Sequence, residues 1–314
     1  MSSSFIKEFK ERGFFHQCTD ENKLNHILKN PIKAYIGFDI TASSLHVGSL
    51  LQIMCLRLLQ KHGHQPIILL GGGTTLIGDP SGKDKTRSIL EKKQIGHNLK
   101  KIKKIFLKVL NFKNKKTKPI FVNNAAWLEK LNYISFLRDV GKHFPMSNML
   151  NKESVKRRVS AGGISYTEFS YMILQAYDFL HLHRDMGCSL QLGGSDQWGN
   201  ITAGTELVRR SSDARVHGVV MPLITKSSGE KFGKSVDGNI WLDAQKTSPY
   251  KFYQFWLNQA DEDALRFVKY FTLITQEEYL ELEGRHLEQP HRREAQKYLA
   301  QDVTRRVHGE ELLA

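Results

Sequence analysis

Residues 33–70 restrict the fold most. They hold a short apolar run, a helix-length amphipathic segment and a second apolar run, and three glycines follow. The first run, Lys33-Ala34-Tyr35-Ile36-Gly37-Phe38, has polar breaks on both sides and reads as a strand. From 48 to 62, Leu50, Ile53, Met54 and Leu58 recur at helical spacing, and Gly63 supplies a C-terminal stop. Residues 66–70 form a second strand that runs into Gly71-Gly72-Gly73. Strand, helix and strand within about forty residues is a crossover unit, and crossovers join parallel strands. Ligands of such sheets sit at the carboxyl ends of the strands. Segments 39–46 and 71–83 both emerge at that edge.

Further along, Leu99, Ile102, Phe106, Val109 and Leu110 place an apolar stripe on a helix. Its other side carries Lys100, Lys101, Lys103, Lys104 and Lys108, a pattern expected of a solvated face. A basic loop, 113–118, precedes a strand at 120–122. Ser165 and Glu168 fit a capping box opening a helix to about residue 183. A strand at 189–192, a helix at 200–210 and a last strand at 219–224 follow. Past Trp241 only helices are predicted, with Ser248-Pro249 as a cap followed by a first-turn proline, and Thr275 with Glu278 as a second capping box. The expected division is a sheet-bearing domain over 1–225, with a helical connective insertion, and a lysine loop plus α-helical domain over 226–314.

A chain of 314 residues that is 40% apolar and 25% charged has the makings of a substantial core, which excludes a disordered protein. Lysine and arginine outnumber aspartate and glutamate by 46 to 32. That excess favours anionic partners such as nucleotides or RNA, although a lysine-rich solvated surface has the same composition. The three cysteines, Cys18, Cys55 and Cys188, have no metal-ligand spacing and are expected as buried free thiols. With no signal-like N-terminus and no apolar run of membrane-spanning length, a cytoplasmic protein without a membrane partner is expected.

Four segments carry chemistry. His46-Val47-Gly48-Ser49 opens the first helix, where small residues, helix amides and the helix dipole favour a nucleotide, and His46 is placed to donate to a phosphate. Taken alone, those four residues are equally an ordinary strand-to-helix turn. Lys231-Phe232-Gly233-Lys234-Ser235 lies in a Gly/Ser-rich loop whose two ammonium groups and hydroxyl suit a departing pyrophosphate. Residues 71–87 combine glycines, expected to permit positive backbone angles and close approach, with Asp79, Lys83 and Arg87. They lack the ending of a Walker P-loop. Tyr171, Gln175 and Asp178 stand at i, i+4 and i+7 on one helix face. A polar triplet on so apolar a helix either pairs internally or binds a small polar molecule.

Read in order, these segments resemble the bacterial tyrosyl-tRNA synthetases, a class I aminoacyl-tRNA synthetase family. The blocks are Tyr35-Ile-Gly-Phe-Asp39-Ile-Thr41-Ala-Ser-Ser-Leu-His46-Val-Gly48, Leu76-Ile-Gly-Asp79-Pro-Ser-Gly-Lys83, Tyr166 through Phe179, Gly193-Gly194-Ser-Asp196-Gln197-Trp198-Gly-Asn200, and Lys231-Phe-Gly-Lys234-Ser235. The first and last look like the class signatures written HIGH and KMSKS. The resemblance implies a Rossmann-like α/β parallel-sheet catalytic domain followed by a smaller α-helical domain. It matches Tyr35 and Asp178 to residues that hold a phenol, and Tyr171, Gln175 and Asp79 to residues that hold an ammonium group. Asp196 and Gln197 match residues near the ribose and the amino-acid carboxylate, with Gly194 beside them. Gly37, Asp39, Thr41, His46 and Gly48 match the ATP side, and Lys83, Arg87, Lys231, Lys234 and Ser235 match a mobile pyrophosphate clamp.

The implied reaction joins L-tyrosine to ATP as tyrosyl-adenylate, with Mg2+ carried on the nucleotide and no metal held by the protein. Transfer to the 3′ end of tRNA(Tyr) follows. A homodimer is implied, and DNA is not an expected partner. Ser49 departs from the motif's usual second histidine. Family members usually continue into a small RNA-binding domain, so a chain ending at Ala314 is expected to make adenylate and charge tRNA poorly. A tryptophanyl-tRNA synthetase shares both signatures, but Asp178 facing Tyr35 suits a phenol better than an indole. A non-catalytic nucleotide-binding or RNA-binding regulator has no need of the clamp lysines. An unrelated adenylyltransferase does not explain the Tyr171–Asp178 face.

Overall fold

The crossover read from residues 33–70 is the centre of the molecule. The structure, a computed structural model, describes residues 3–81, 90–229, 232–235 and 238–312. Its main sheet holds β1 (Gln17–Cys18), β2 (Lys33–Phe38), β3 (Gln65–Leu70), β4 (Ile120–Asn123), β5 (Cys188–Gly194) and β6 (His217–Met221), in the order β1-β6-β5-β2-β3-β4. Every pairing is parallel except that of β1 with β6. From β2 the chain winds outward one way through β3 and β4, and then the other way through β5 and β6. The reversal falls between β2 and β5, the position at which open sheets of this kind take their ligands. A two-stranded ribbon, β7 (Lys234–Ser235) with β8 (Gly238–Asn239), lies apart from this sheet.

The helices preceding the long connection are α1 (Ser4–Glu11), α2 (Glu21–Ile27), α3 (Val47–Lys61) and α4 (Lys92–Val109). Short ones follow: α5 (Ala125–Leu128), α6 (Tyr133–Asp139), α7 (Met146–Leu150) and α8 (Glu153–Ser160). Then come α9 (Tyr166–Met186), α10 (Trp198–Ser212), α11 (Pro249–Leu257), α12 (Asp261–Phe271), α13 (Gln276–Glu288) and α14 (Glu294–His308). Both predicted capping boxes are present, Ser165 with Glu168 on α9 and Thr275 with Glu278 on α13. Each cap is worth roughly 1 kcal/mol. Gly187, in the left-handed region at φ 67°, ends α9 three residues later than the sequence pattern indicates.

Strand alternation sorts the core into two layers. Ala34, Ile36 and Phe38 of β2 face a cluster shared with α1, α3, α4 and the helices beyond 249, whereas Tyr35 turns to the opposite side, with Phe169, Met172, Ala176 and Phe179 of α9. The same alternation puts Ile68 and Leu70 of β3 on the first side and Ile67 and Leu69 on the second. Phe232, from the lysine loop, joins the first cluster.

Three expectations need correction. Gly71, Gly72 and Gly73 do not adopt positive φ; among the described residues of that stretch Gly78 does so, at φ 88°. They are glycines for lack of room, since a Cβ on Gly72 would lie 2.3 Å from Asn123 Oδ1 and one on Gly71 2.6 Å from Thr74 Oγ1. Cys55 and Cys188 are buried thiols, but Cys18 is only half-buried, because its two-residue strand is the sheet's edge. Finally, the sheet carries an antiparallel edge strand, β1, too short to leave a periodic signal.

Gly218 on β6 tests the packing of sheet on helix. A Cβ there would lie 2.2 Å from Ile201 Cγ2, a branched atom of a wholly buried side chain on α10. Gly218→Ala is expected to cost about 1–3 kcal/mol through overpacking. Urea unfolding measures it, and an unchanged midpoint would contradict this packing.

Candidate functional site

Asp178 is the most constrained polar group in the fold. It lies on α9, 1% exposed, beneath the loops that leave β3 and β4. Trp127 Nε1 donates to its Oδ1 at 2.7 Å, and Asn124 Nδ2 donates to its Oδ2 at 2.9 Å. Asn124 is itself fixed, because its Oδ1 accepts from Gly73 N at 2.8 Å and its Nδ2 also reaches Thr74 Oγ1 at 3.0 Å. Burial pushes the Asp178 carboxyl up to about 7, against the pull of these two donors. The sign follows directly. Between about pH 4 and pH 7 the unfolded chain ionises this group first, so stability falls as pH rises through that window and levels off above it.

Tyr35 sits beside this carboxyl. Its ring packs edge-on to Phe179 with centroids 5.2 Å apart. Burial, and then the charge of Asp178, hold its phenol well above the ordinary value. Its hydroxyl is buried without a hydrogen-bond partner among the described residues, as is Oε1 of Gln191, directly opposite on β5. A buried polar atom left unpaired costs about 1–3 kcal/mol, so two on the same side of one strand pair mark a place shaped for polar contact.

A second network joins the loop after β3 to the loop after β5. Asp79 Oδ1 accepts from Ser81 N at 2.9 Å and its Oδ2 accepts from Gln197 Nε2 at 2.9 Å. Gln197 also reaches Asp196 Oδ2 at 3.3 Å, while its Oε1 accepts from Asn200 Nδ2 at 3.1 Å. Asn200 further donates to Gln175 Oε1 at 3.1 Å and to Ser81 Oγ at 3.2 Å. Burial, and then the charge of Asp39, push Asp79 up to about 6, opposed by Ser81 and Gln197. The Asp196 carboxylate lies over Gly194, where a Cβ would stand 2.5 Å from Asp196 Oδ1. The triplet Tyr171, Gln175 and Asp178 therefore spans two networks, Gln175 serving one and Asp178 the other. Tyr171 lies one turn before Gln175, buried on the same helix face.

The nucleotide-type signatures meet on the other side of the sheet edge. His46 caps α3, its Nδ1 accepting from Gly48 N at 3.0 Å, which leaves the proton of a neutral ring on Nε2. Val47 N donates to Ile240 O at 2.8 Å, Leu242 N to Leu45 O at 2.9 Å, and Ile240 N to Gly233 O at 3.0 Å. Gly233, at φ 85°, backs onto Val47, and a Cβ there would lie 2.9 Å from Val47 Cγ1. The two runs far apart in sequence are thus stitched backbone to backbone. The loop between β2 and α3 is held by Ile40 N donating to Thr75 Oγ1 at 3.0 Å and Asn98 Nδ2 donating to Ile40 O at 3.2 Å. This fixes the stretch that carries Gly37, Asp39 and Thr41, of which Gly37 and Thr41 are exposed. Lys83, Arg87 and Lys231 lie outside the described residues. Lys234 and Ser235 are described as backbone, paired with Asn239 and Gly238.

Sequence reasoning missed Asn124 and Trp127. They precede and occupy a four-residue helix with no periodicity, about fifty residues from Asp178, so no local pattern marks them. Asn200, to which the resemblance assigns no role, is the hub of the second network. Among the described residues no group of three histidine, cysteine or acidic side chains is arranged to hold a metal ion.

Comparison with known proteins shows the family. Residues 28–314 match the family model for tRNA synthetases class I (W and Y). A protein of Pelagibacter ubique named tyrosine--tRNA ligase is 56% identical over 311 residues, covering 98% of this chain and 75% of that protein. One of Staphylococcus haemolyticus with the same name is 51% identical over 315 residues, covering all of this chain and 74% of that protein. The crystal structure of a C-terminally truncated mitochondrial tyrosyl-tRNA synthetase of Aspergillus nidulans superimposes with a TM-score of 0.89 at 29% identity, covering 98% of this chain and 91% of that one.

Trp127→Phe keeps the aromatic ring and deletes one of the two donors to Asp178. The loss is expected to be about 1–3 kcal/mol at pH 8, where the carboxyl is ionised, and smaller at pH 5, where it is neutral. Urea unfolding at both values measures it; equal losses would contradict the two-donor cradle.

Proposed function

This chain belongs to the class I tRNA synthetases (W and Y), and from that membership we infer that it is a tyrosine–tRNA ligase, activating L-tyrosine with ATP and passing it to tRNA(Tyr). The observation that carries the choice of amino acid is the buried Asp178 carboxyl, doubly held, beside the unpartnered Tyr35 hydroxyl. A phenol hydroxyl donates to the first and accepts from the second. An indole N–H only donates, which leaves Tyr35 unpaired, and a phenyl ring satisfies neither. A site of this kind rejects the ring lacking the hydroxyl by roughly 10⁴–10⁵, so selectivity requires no editing site. The names of the relatives at 51% and 56% identity support the same choice.

In the first step a tyrosine carboxylate oxygen attacks the α-phosphorus of ATP in line. The new bond joins that oxygen to phosphorus, the bond from the α-phosphorus to the bridging oxygen breaks, and pyrophosphate leaves with the electron pair. A carboxylate is a competent nucleophile at neutral pH, so the protein supplies position and charge rather than a general base. We assign the tyrosine ammonium group to Asp79, Tyr171 and Gln175, and the tyrosine carboxylate to the neighbourhood of Gln197. Asp39, Asp196 and the glycines 37, 48 and 194 take the nucleoside, and Thr41 and His46 the phosphates. The fixed tautomer of His46 supports a donating role, because its Nε2–H is directed by the amide that occupies Nδ1. Lys83, Arg87, Lys231, Lys234 and Ser235 neutralise the departing pyrophosphate. Mg2+ carried with the nucleotide would supply positive charge against its phosphates.

We assign the sheet-bearing part to residues 1–225 and the signature loop with its helices to 226–314. We also propose a cytoplasmic homodimer. Exposed Tyr133, Ile134, Met146, Leu150, Val159 and Tyr166, all from α6 to the start of α9, support a self-association face, since exposed large apolar groups gathered in one segment favour burial against a partner.

Pyrophosphate exchange into ATP, with tyrosine, tryptophan and phenylalanine compared, tests the reading. Exchange is expected with tyrosine alone, and Lys231→Ala with Lys234→Ala is expected to abolish it; exchange with tryptophan instead would overturn the assignment. Asp178→Ala should weaken tyrosine far more than ATP in equilibrium binding, and equal weakening would remove Asp178 from the pocket. Because the phenol donates to an ionised carboxyl, tyrosine affinity should fall as pH drops below about 7, by up to about tenfold per unit. A flat calorimetric profile from pH 8 to pH 6 would contradict that.

A further inference from the structure

The lysine signature has a bed, and it is one face of α12. Asp263, Phe267 and Phe271 stand at i, i+4 and i+8 on that helix. Asp263 is 2% exposed, yet its carboxylate is spent on the loop that enters the signature. It accepts from Ser227 N at 3.1 Å on both oxygens and from Ser227 Oγ at 3.1 Å. Arg266 pairs with the same carboxylate and donates to Thr225 O at 2.6 Å. Farther along the same face, Phe232 packs on Phe267, one turn on, with centroids 4.8 Å apart and stacks on Phe271, two turns on, at 5.4 Å. The face thus grips the chain at 227 and again at 232, on either side of Lys231.

The bed is itself held. Arg12, from the loop after α1, donates to the carbonyls of Lys269 and Thr272, each at 3.0 Å, and to Ile274 O at 2.6 Å, capping the end of α12. Beyond the second grip, Gly233 lies against Val47 at the start of α3. The grip at 227 thus joins the packing of Phe232 and the backbone bond at Gly233 in placing the signature relative to His46.

We propose that Asp263 is a positioning residue for adenylate formation, setting the lysine loop against the nucleotide end of the site through Ser227. This rests on the reading of the chain as a tyrosine–tRNA ligase. A buried carboxylate that accepts one backbone N–H shared between its two oxygens, and the hydroxyl of the same loop residue, is a costly anchor, and an uncharged cap would serve if only helix stability were needed.

Asp263→Asn keeps the shape but turns an amide N–H2 toward donors of Ser227, and Ser227→Ala removes one of the loop's own bonds. In tyrosine-dependent pyrophosphate exchange, Asp263→Asn is expected to lower kcat by about ten- to a hundredfold, the scale on which ångström misplacement of a reacting group reads out, with the KM for tyrosine unchanged. Ser227→Ala should lower it by about two- to fivefold in the same pattern. Wild-type rates in both variants overturn the proposal. So does a loss in Asp263→Asn matched by weaker tyrosine binding and a lower urea midpoint, which marks a merely structural group. If Asp263→Asn does not fold, Ser227→Ala decides, and an unchanged rate there overturns it. Absence of tyrosine-dependent exchange in the wild-type chain sinks the ligase reading instead, which separates the two failures.

Discussion

Parallel strands joined by helices all end at one edge, and that constraint governs everything this chain does. Successive strands spread to both sides of β2, so the loops after β2, β3 and β5 meet where the winding reverses. Asp39, Asp79 and Asp196 reach the same small region from three such loops. The helix dipole of α3, the capping His46 and the amides around Gly48 face that edge too. Chemistry assembles there because the sheet leaves it no other place.

What the edge holds is buried polarity that is costly to the fold. Asp178 and Asp79 are both pushed above the ordinary carboxylate range by burial, so each lowers stability on approaching neutral pH rather than adding to it. The compensation is directional. Asn124, Trp127, Gln197 and Asn200 each aim a donor at a fixed oxygen, and the Tyr35 hydroxyl is left buried beside them. A hydrophobic core of the same volume would be more stable and would discriminate nothing. Function and stability pull in opposite directions at these residues, and the surrounding apolar layers absorb the difference.

The crossover at 33–70, the two capping boxes and the helical character beyond 249 were legible because each rests on local periodicity or a local side-chain bond. The polar face of α9 was legible for the same reason. What filled that face was not. Asn124 and Trp127 reach Asp178 only through tertiary folding, and the four-residue α5 offers no pattern to read. The glycines after β3 announced close approach but not its cause, which is Thr74 for Gly71, Asn123 for Gly72 and Leu128 for Gly73. β1 escaped notice because two residues on an edge carry no period. The stitching of His46 to Trp241 links backbone atoms 195 positions apart, beyond any window of sequence pattern.

A crystal structure of this chain with L-tyrosine bound measures the pocket most directly. The phenolic oxygen should lie within hydrogen-bond distance of both the Asp178 carboxylate and the Tyr35 hydroxyl, with Asn124 and Trp127 still donating to the far sides of that carboxylate. A tyrosine ring seated elsewhere, or an Asp178 that keeps no contact with it, would contradict the site described.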